Sequence, residues 1–362
     1  MVRTGIEKTL RKVALAAFAA TVAGTGMSAD ASADDKTVYL LSWGGTIQTS
    51  FEKEGWAEKF KEATGYEMVL VPKATSSEII ATAIAQKDKP QIDVVLCDYA
   101  AWLQGRHQDI FDEVDTASVP NLNGLYDYAP IRVGDAILGS YTYTDTLGII
   151  YQPDMFKKNG WAEPTGWDDL LRPEFKGKIS IPPVSNTYGL YTLIHFARAN
   201  GGGENNIDPG FETLAKIAPG VVDWTTTFAK LGGYLQSELV AISVFGANSG
   251  FEIQKRGIPA GVVIPDPDYL SPTAVGVMKD APNPEGARAL MNFILGAEFQ
   301  SFRAERFGSN AMNKSITVSD EAKKYLLTPE QMARLTTVDY EVVTQNRAEW
   351  NERFEKEIAP IR

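Results

Sequence analysis

Val38-Tyr39-Leu40-Leu41-Ser42-Trp43-Gly44-Gly45-Thr46-Ile47-Gln48 reads as a strand that halts on two glycines and turns into a helix. Its apolar run has the length a buried parallel strand needs. Ser42 to Thr46 stops that run, and Thr46 to Phe51 opens a helix. Ligands of open α/β sheets sit at the carboxyl ends of such strands. Glycines there let backbone N–H groups approach a ligand, and a helix N-terminus favours polar or anionic groups. Trp43, Gly44, Gly45 and Thr46 are therefore candidate binding residues, with the indole as a flat apolar wall. The plain alternative makes Trp43 core filling and the glycines a tight turn.

Further along, Trp56–Ala63 repeats apolar residues at helical spacing and stops at Thr64-Gly65. Tyr66–Pro72 predicts a second strand, and the serine-led segment Ser76–Ala85 a helix. Asp93–Cys97 predicts a third strand, after which Asp98-Tyr99 opens a helix carrying Trp102. This β-α-β-α-β alternation predicts a parallel sheet with right-handed crossovers. Asp98 and Tyr99 then emerge on the same edge as Trp43 to Thr46, although an N-cap and a surface aromatic would read the same way.

The first residues predict export. Arg3, Lys8, Arg11 and Lys12 precede the apolar run Val13–Ala23, and Ala31-Ser32-Ala33 fits a cleavage site. That run is too short to anchor permanently in a bilayer. A cleavable signal peptide over residues 1–33 implies a periplasmic or secreted mature chain of about 329 residues, long enough for two lobes. The formal charge is −11, and the leader's net +2 leaves the mature chain near −13. This argues against nucleic acid or an anionic membrane as a partner. Cys97 is the single cysteine and His107 and His195 the two histidines, so no disulfide is expected, nor a Cys- or His-built metal site, and no metal or cofactor is expected.

Leu138–Tyr151 is a long extended stretch dense in β-formers, able to run from one lobe into another. Gly148-Ile149-Ile150-Tyr151, then Trp167-Asp168-Asp169-Leu170 and Pro173-Glu174-Phe175-Lys176-Gly177-Lys178-Ile179, and finally Asn283-Pro284-Glu285-Gly286 with Gln300, occur in order along the chain. With Ser42-Trp43-Gly44-Gly45, this ordered set resembles the periplasmic solute-binding proteins of ABC importers, in the type II branch of spermidine/putrescine and ferric-ion binders. The resemblance implies two α/β lobes, each a mainly parallel sheet flanked by helices, with a ligand cleft between them. Residues 34–142 plus 271–310 would form one lobe and residues 143–270 plus 311–362 the other. It also implies a monomer that delivers a small molecule to an inner-membrane ABC permease. Independently, strands near Lys178–Ile181, Val240–Phe245 and Gly261–Ile264 alternate with helices near Tyr188–Asn200, Phe211–Ala218 and Phe251–Lys255.

Enzyme signatures are missing from the sequence. Gly246-Ala247-Asn248-Ser249-Gly250 has the wrong spacing for a nucleophile elbow, and no H-E-x-x-H or Walker motif occurs. The expectation is a binding protein, not an enzyme. Strand ends supply its candidates beyond the first: Asp98 and Tyr99; Asp145 and Thr146; Ser185, Asn186, Thr187 and Tyr188; Asn248 and Ser249; and Tyr269. A few placed polar groups among aromatic walls hold small ligands, and indole or phenol faces suit an ammonium. Asp98 or Asp145 with Trp43 would take that ammonium; Asp145 also fits a hinge turn, and Ser185–Thr187 a plain N-cap set.

The departures from the resembled family narrow the ligand. Where polyamine binders carry acids after the Gly177-Lys178-Ile179-Ser180-Ile181 segment, this chain has Pro182-Pro183-Val184-Ser185-Asn186-Thr187. After the return crossing it has Ser271-Pro272-Thr273 in place of an acid, and near Gly246–Asn248 it lacks both the polyamine binders' aromatic and the paired tyrosines of the ferric binders. A second ammonium would lack a counter-charge, which is costly when buried. The expected ligand is a compact single-amine or zwitterionic compound resembling an amino acid derivative. A polyamine is the alternative, and a secreted enzyme or sensory binding protein is further off.

Overall fold

The computed structural model describes residues 36–361, so the expected signal peptide lies outside the described residues. Strands β1 (Thr37–Trp43), β2 (Glu67–Lys73) and β3 (Val94–Asp98) form the parallel unit expected, with β1 between the other two. The helix Trp56–Thr64 between β1 and β2 ends on Gly65 at φ 77°, a left-handed cap that glycine adopts without Cβ strain. The next helix, Ser76–Ala85, is capped by Thr75, whose hydroxyl accepts from the Glu78 amide at 3.1 Å, and not by its own serines.

Strands β4 (Pro130–Val133) and β5 (Ala136–Asp145) follow as an antiparallel pair of the same sheet. Thr146 alone then separates β5 from β6 (Leu147–Tyr151), which belongs to a second sheet with β7 (Ile179–Ser180), β8 (Val221–Asp223), β9 (Ile242–Gly246) and β10 (Gly261–Val263). The chain returns through β11 (Ser271–Val277) and β12 (Asn310–Ala311), giving a first-sheet order β12-β5-β11-β3-β1-β2. The second sheet runs β10-β6-β9-β7-β8.

Both sheets are mixed, where mainly parallel sheets were expected. β4, β5, β11 and β12 pair antiparallel in the first, β6 and β10 in the second. The reason is topological: β6 and β11 arrive through direct crossings, without a helical crossover, and so run opposite to the neighbours that have one, while β4 joins β5 through the tight turn at 134–135.

Two cores result. The first gathers Leu40, Leu41, Phe51, Trp56, Trp102 and Val275; the second gathers Ile149, Phe156, Trp167, Leu193, Phe211 and Ile242, flanked by a smaller cluster around Leu231 and Ile253. The C-terminal stretch is shared between them. Met312 and Met332 bury in the first core, whereas Val343, Trp350 and Phe354 on helix Tyr340–Glu357 bury in the second. The expected grouping of all of 311–362 with the second lobe therefore does not hold for Met312 and Met332, because β12 pairs with β5 and carries the chain after it onto the first sheet.

Candidate functional site

Register determines which residues meet. β1 and β3 run parallel, and β11 lies antiparallel between β3 and β5, with Thr273 opposite Asp98 and Ser271 opposite Asp145. The ends of β1, β3 and β5 thus share one edge of the first sheet, and the two aspartates are two strand spacings apart, roughly 10 Å before their stagger is added. In the second sheet Gly246, the end of β9, pairs with Leu147 at the start of β6, and the Ala247 amide donates to the Thr146 carbonyl at 2.9 Å. The carboxyl ends of β7 and β9 therefore point back toward the crossing, so both sheets turn strand tips to the same place.

On the first sheet, Trp43 is half-buried against the first core and, with Gly44, Gly45, Thr46, Lys73 and Asp98, lines an open depression of about 530 Å³. Gly45 adopts φ +59°, which lets the chain fold from β1 straight into the helix Gly45–Gln48. Asp98 occupies an N-cap position but makes no side-chain cap; its carboxylate accepts from the Ser76 hydroxyl at 2.6 Å. Water reaches it, yet protein flanks it closely enough that burial raises its pKa, against the Ser76 bond. Tyr99 sets its ring edge-on to Tyr141 and to Tyr340, each at 4.9 Å.

Asp145 is half-buried at the tip of β5 and accepts a long bond from the Asn248 amide, 3.4 Å, across the crossing. Burial, then the charge of Asp98, raises its carboxyl to about 6, opposed by Arg303. Tyr188 lies on Phe245 with centroids 5.0 Å apart, beside Gly246, where a Cβ would come within 2.4 Å of the phenol oxygen. Burial, followed by the charges of Asp145 and Asp98, raises its phenol, so all three groups share one electrostatic neighbourhood. Asn186 caps the helix Thr187–Ala199 through the Tyr188 amide at 2.9 Å, leaving Ser185 and Thr187 exposed at the same tip. Ser249 is half-buried beside Asn248, whose side-chain oxygen takes the Ser249 amide.

Tyr269 is not at this gap. It is fully buried, stacked on Tyr191 at 5.6 Å with its hydroxyl 3.2 Å from His195 Nδ1, so the return crossing uses it as core. Thr146, only 4% exposed, contributes its backbone to the crossing. Sequence reasoning also missed four residues. Tyr143, Tyr340 and two arginines, Arg303 and Arg347, belong to the same surroundings. Arg303 lies over the Tyr143 ring at 4.7 Å and donates to Ser50 at 3.0 Å; Arg347 donates to the Ser185 carbonyl at 2.8 Å. For Arg303 a signal existed: with Phe299, Gln300 and Ala304 it occupies the buried i, i+3, i+4 face of its helix.

Among the described residues no cluster of three or more His, Cys, Asp or Glu gathers to hold a metal, and no helix is long and apolar enough to cross a membrane. The arrangement is suited to non-covalent recognition: two carboxylates, aromatic faces, hydroxyl and amide donors, and a crossing that two bodies share.

The profile of bacterial extracellular solute-binding proteins matches residues 55–330. A relative from Escherichia coli, named a spermidine/putrescine-binding periplasmic protein, is 24% identical over 92% of this chain and 91% of its own length. One from Salmonella typhimurium, named "Putative 2-aminoethylphosphonate-binding periplasmic protein", is 22% identical over 78% of this chain and 84% of its own. Among solved structures, an extracellular solute-binding protein structure from Bordetella parapertussis superimposes with a TM-score of 0.78 at 23% identity, covering 90% of this chain and all of that one. An ABC transporter structure from Clostridium perfringens gives 0.77 at 23%, covering 89% and 99%. These structural likenesses establish the two-lobed α/β fold.

Proposed function

The chain belongs to the bacterial extracellular solute-binding proteins, and from that premise we propose that it binds a compact ligand with one ammonium and one anionic end, closes on it, and hands it to the permease of an ABC importer. The observation that carries this reading is the make-up of the gap. Asp98 and Asp145 stand on the first sheet's edge, while the facing tip of the second offers Ser185, Asn186 and Thr187, with hydroxyls and amides where a second ammonium would need an acid.

In this reading Asp98 or Asp145 takes the ammonium against the Trp43 indole and the Tyr188 ring. Gly44, Gly45 and Thr46 present backbone donors, and Tyr99 and Thr146 shape the floor. Asn248 and Ser249 complete the wall from the second lobe. The lobes divide at Thr146 and near Leu270, with the stretch from Met312 to Met332 assigned to the first. The mature protein acts in the periplasm as a monomer, and the chain is a carrier with no reaction of its own.

The names of the two relatives bracket the ligand choice. One speaks of polyamines, the other of an aminophosphonate. A polyamine is the second reading, favoured by two acids close enough for one to raise the other's pKa. A thermal-shift screen separates the two, because a ligand that binds only the folded state raises the melting temperature with its concentration. A shift with 2-aminoethylphosphonate or an ω-amino acid and none with spermidine is expected. The reverse pattern overturns the zwitterion reading.

A further inference from the structure

Five arginines among the described residues have no acidic group within 4 Å: Arg132, Arg256, Arg303, Arg334 and Arg347. Arg132, Arg256 and Arg334 are exposed, so water solvates them. Arg303 is enclosed by the first body: Ser50 and Thr46 accept from it, the Tyr143 and Phe307 rings cover it at 4.7 and 5.1 Å, and its Nε, though without a partner, is buried away from solvent. Arg347 has no such account.

Arg347 lies on the helix Tyr340–Glu357, seven residues after Tyr340 and so on the same face, two turns along. Tyr340 leads that face into the crossing, where its hydroxyl meets Tyr191 at 2.8 Å and the Leu270 carbonyl at 2.8 Å. The Arg347 guanidinium reaches the tip of the second sheet and donates to the Ser185 carbonyl at 2.8 Å, directly before the cap of the helix Thr187–Ala199. One backbone carbonyl leaves most of a five-donor fork unused. Partial burial also disfavours its charge, with only the nearby Tyr191 phenol to offset that. A half-buried guanidinium with one carbonyl partner and no acid within 4 Å, beside two exposed hydroxyl side chains, is matched by an oxyanion, which the fork can take in bidentate fashion.

We infer that Arg347 is the specificity-determining cation of the cleft, taking the carboxylate or phosphonate end of the ligand beside Ser185 and Thr187. The inference rests on the zwitterion reading and supplies the positive pole opposite Asp98 and Asp145. It also gives a repulsive element against polyamines, since a second ammonium would approach a cation of like charge.

Isothermal titration of the protein and of Arg347→Gln and Arg347→Lys, with 2-aminoethylphosphonate, β-alanine, propylamine and putrescine as probes, tests it. The glutamine variant should bind the two zwitterions about tenfold to a hundredfold more weakly, the worth of a charged hydrogen bond. The lysine variant should recover part of that loss, and propylamine affinity should change less than twofold. A loss confined to 2-aminoethylphosphonate assigns a phosphonate, and an equal loss on β-alanine any oxyanion; both support the inference. Unchanged zwitterion affinity in Arg347→Gln, or an equal loss on propylamine, overturns it. The wild-type column judges the other reading separately: if the unmutated protein takes putrescine, or neither zwitterion, the zwitterion reading falls and this inference with it.

Discussion

Asp145 is the residue on which the electrostatics of the gap converge. Its carboxyl titrates near 6 because burial and the charge of Asp98 disfavour ionisation more than Arg303 favours it. A ligand ammonium needs the ionised form. Above about pH 6 that form is already present and affinity should be flat; below it, binding must first remove a proton, so affinity should fall up to tenfold per unit. Asp145→Asn should weaken an ammonium-bearing ligand by about tenfold to a hundredfold at pH 7.5 and abolish the slope between pH 6 and 5. Titration calorimetry at pH 5.0, 6.0 and 7.5 measures both. A slope that survives in Asp145→Asn assigns the proton to another group, with Asp98 next in line because its pKa is raised as well.

The crossing between sheets depends on another carboxylate. Asp268 Oδ1 accepts from the Leu147 amide at 3.1 Å and from the Tyr269 amide at 2.7 Å, so one side chain ties the outgoing segment to the returning one. Its Oδ2 is buried with no hydrogen-bond partner, and burial raises the group to about 7 despite those two bonds. In the unfolded chain an aspartate titrates near 3.9. Between about pH 4 and 7 the folded state therefore holds more protons, and stability should fall as pH rises through that window, losing a few kcal/mol at most. Asp268→Asn keeps an oxygen acceptor and removes the charge, so its stability should vary less between pH 5 and 7.5 in urea melts. An unchanged pH profile would exclude Asp268 as the source. Asp268 was not legible in the sequence, since it reads as one more acid in a Pro-rich segment, Pro265-Asp266-Pro267-Asp268. The strands were legible wherever an apolar run ended on glycine or aspartate, as at Trp43-Gly44 and Cys97-Asp98. The antiparallel pairings were not, because β5 and its partner β11 lie more than a hundred residues apart and alternation alone names no neighbour. Tyr269 misled for a related reason: a phenol beside a crossing reads as ligand-facing until the imidazole that receives it is known.

Across the whole molecule, the gap is spanned at more than the crossing. Glu341, on a helix that buries in the second core, takes both Arg106 and His107 from a helix that buries in the first, the histidine at 2.9 Å. Tyr99 meets Tyr340 on the same side. Contacts between bodies joined by three crossing segments, at Thr146, near Leu270 and between Met332 and Val343, favour their closed arrangement, and a ligand contacting both adds to the same equilibrium. The Arg106–Glu341 ion pair is partly solvent-exposed, so its share is small, on the order of 1 kcal/mol or less. Glu341→Ala should accordingly weaken ligand binding about two- to fivefold, an effect that shrinks as salt screens the wild-type pair. Small-angle scattering reads the same equilibrium directly. With saturating ligand the chain lacking residues 1–33 should approach a radius of gyration of roughly 20 Å, as expected for a compact chain of its length. Without ligand it should be larger, and Glu341→Ala larger still. Equal radii for bound and free protein, together with unaltered affinity in Glu341→Ala, would mean that the two bodies do not move and that the gap admits its ligand by another route.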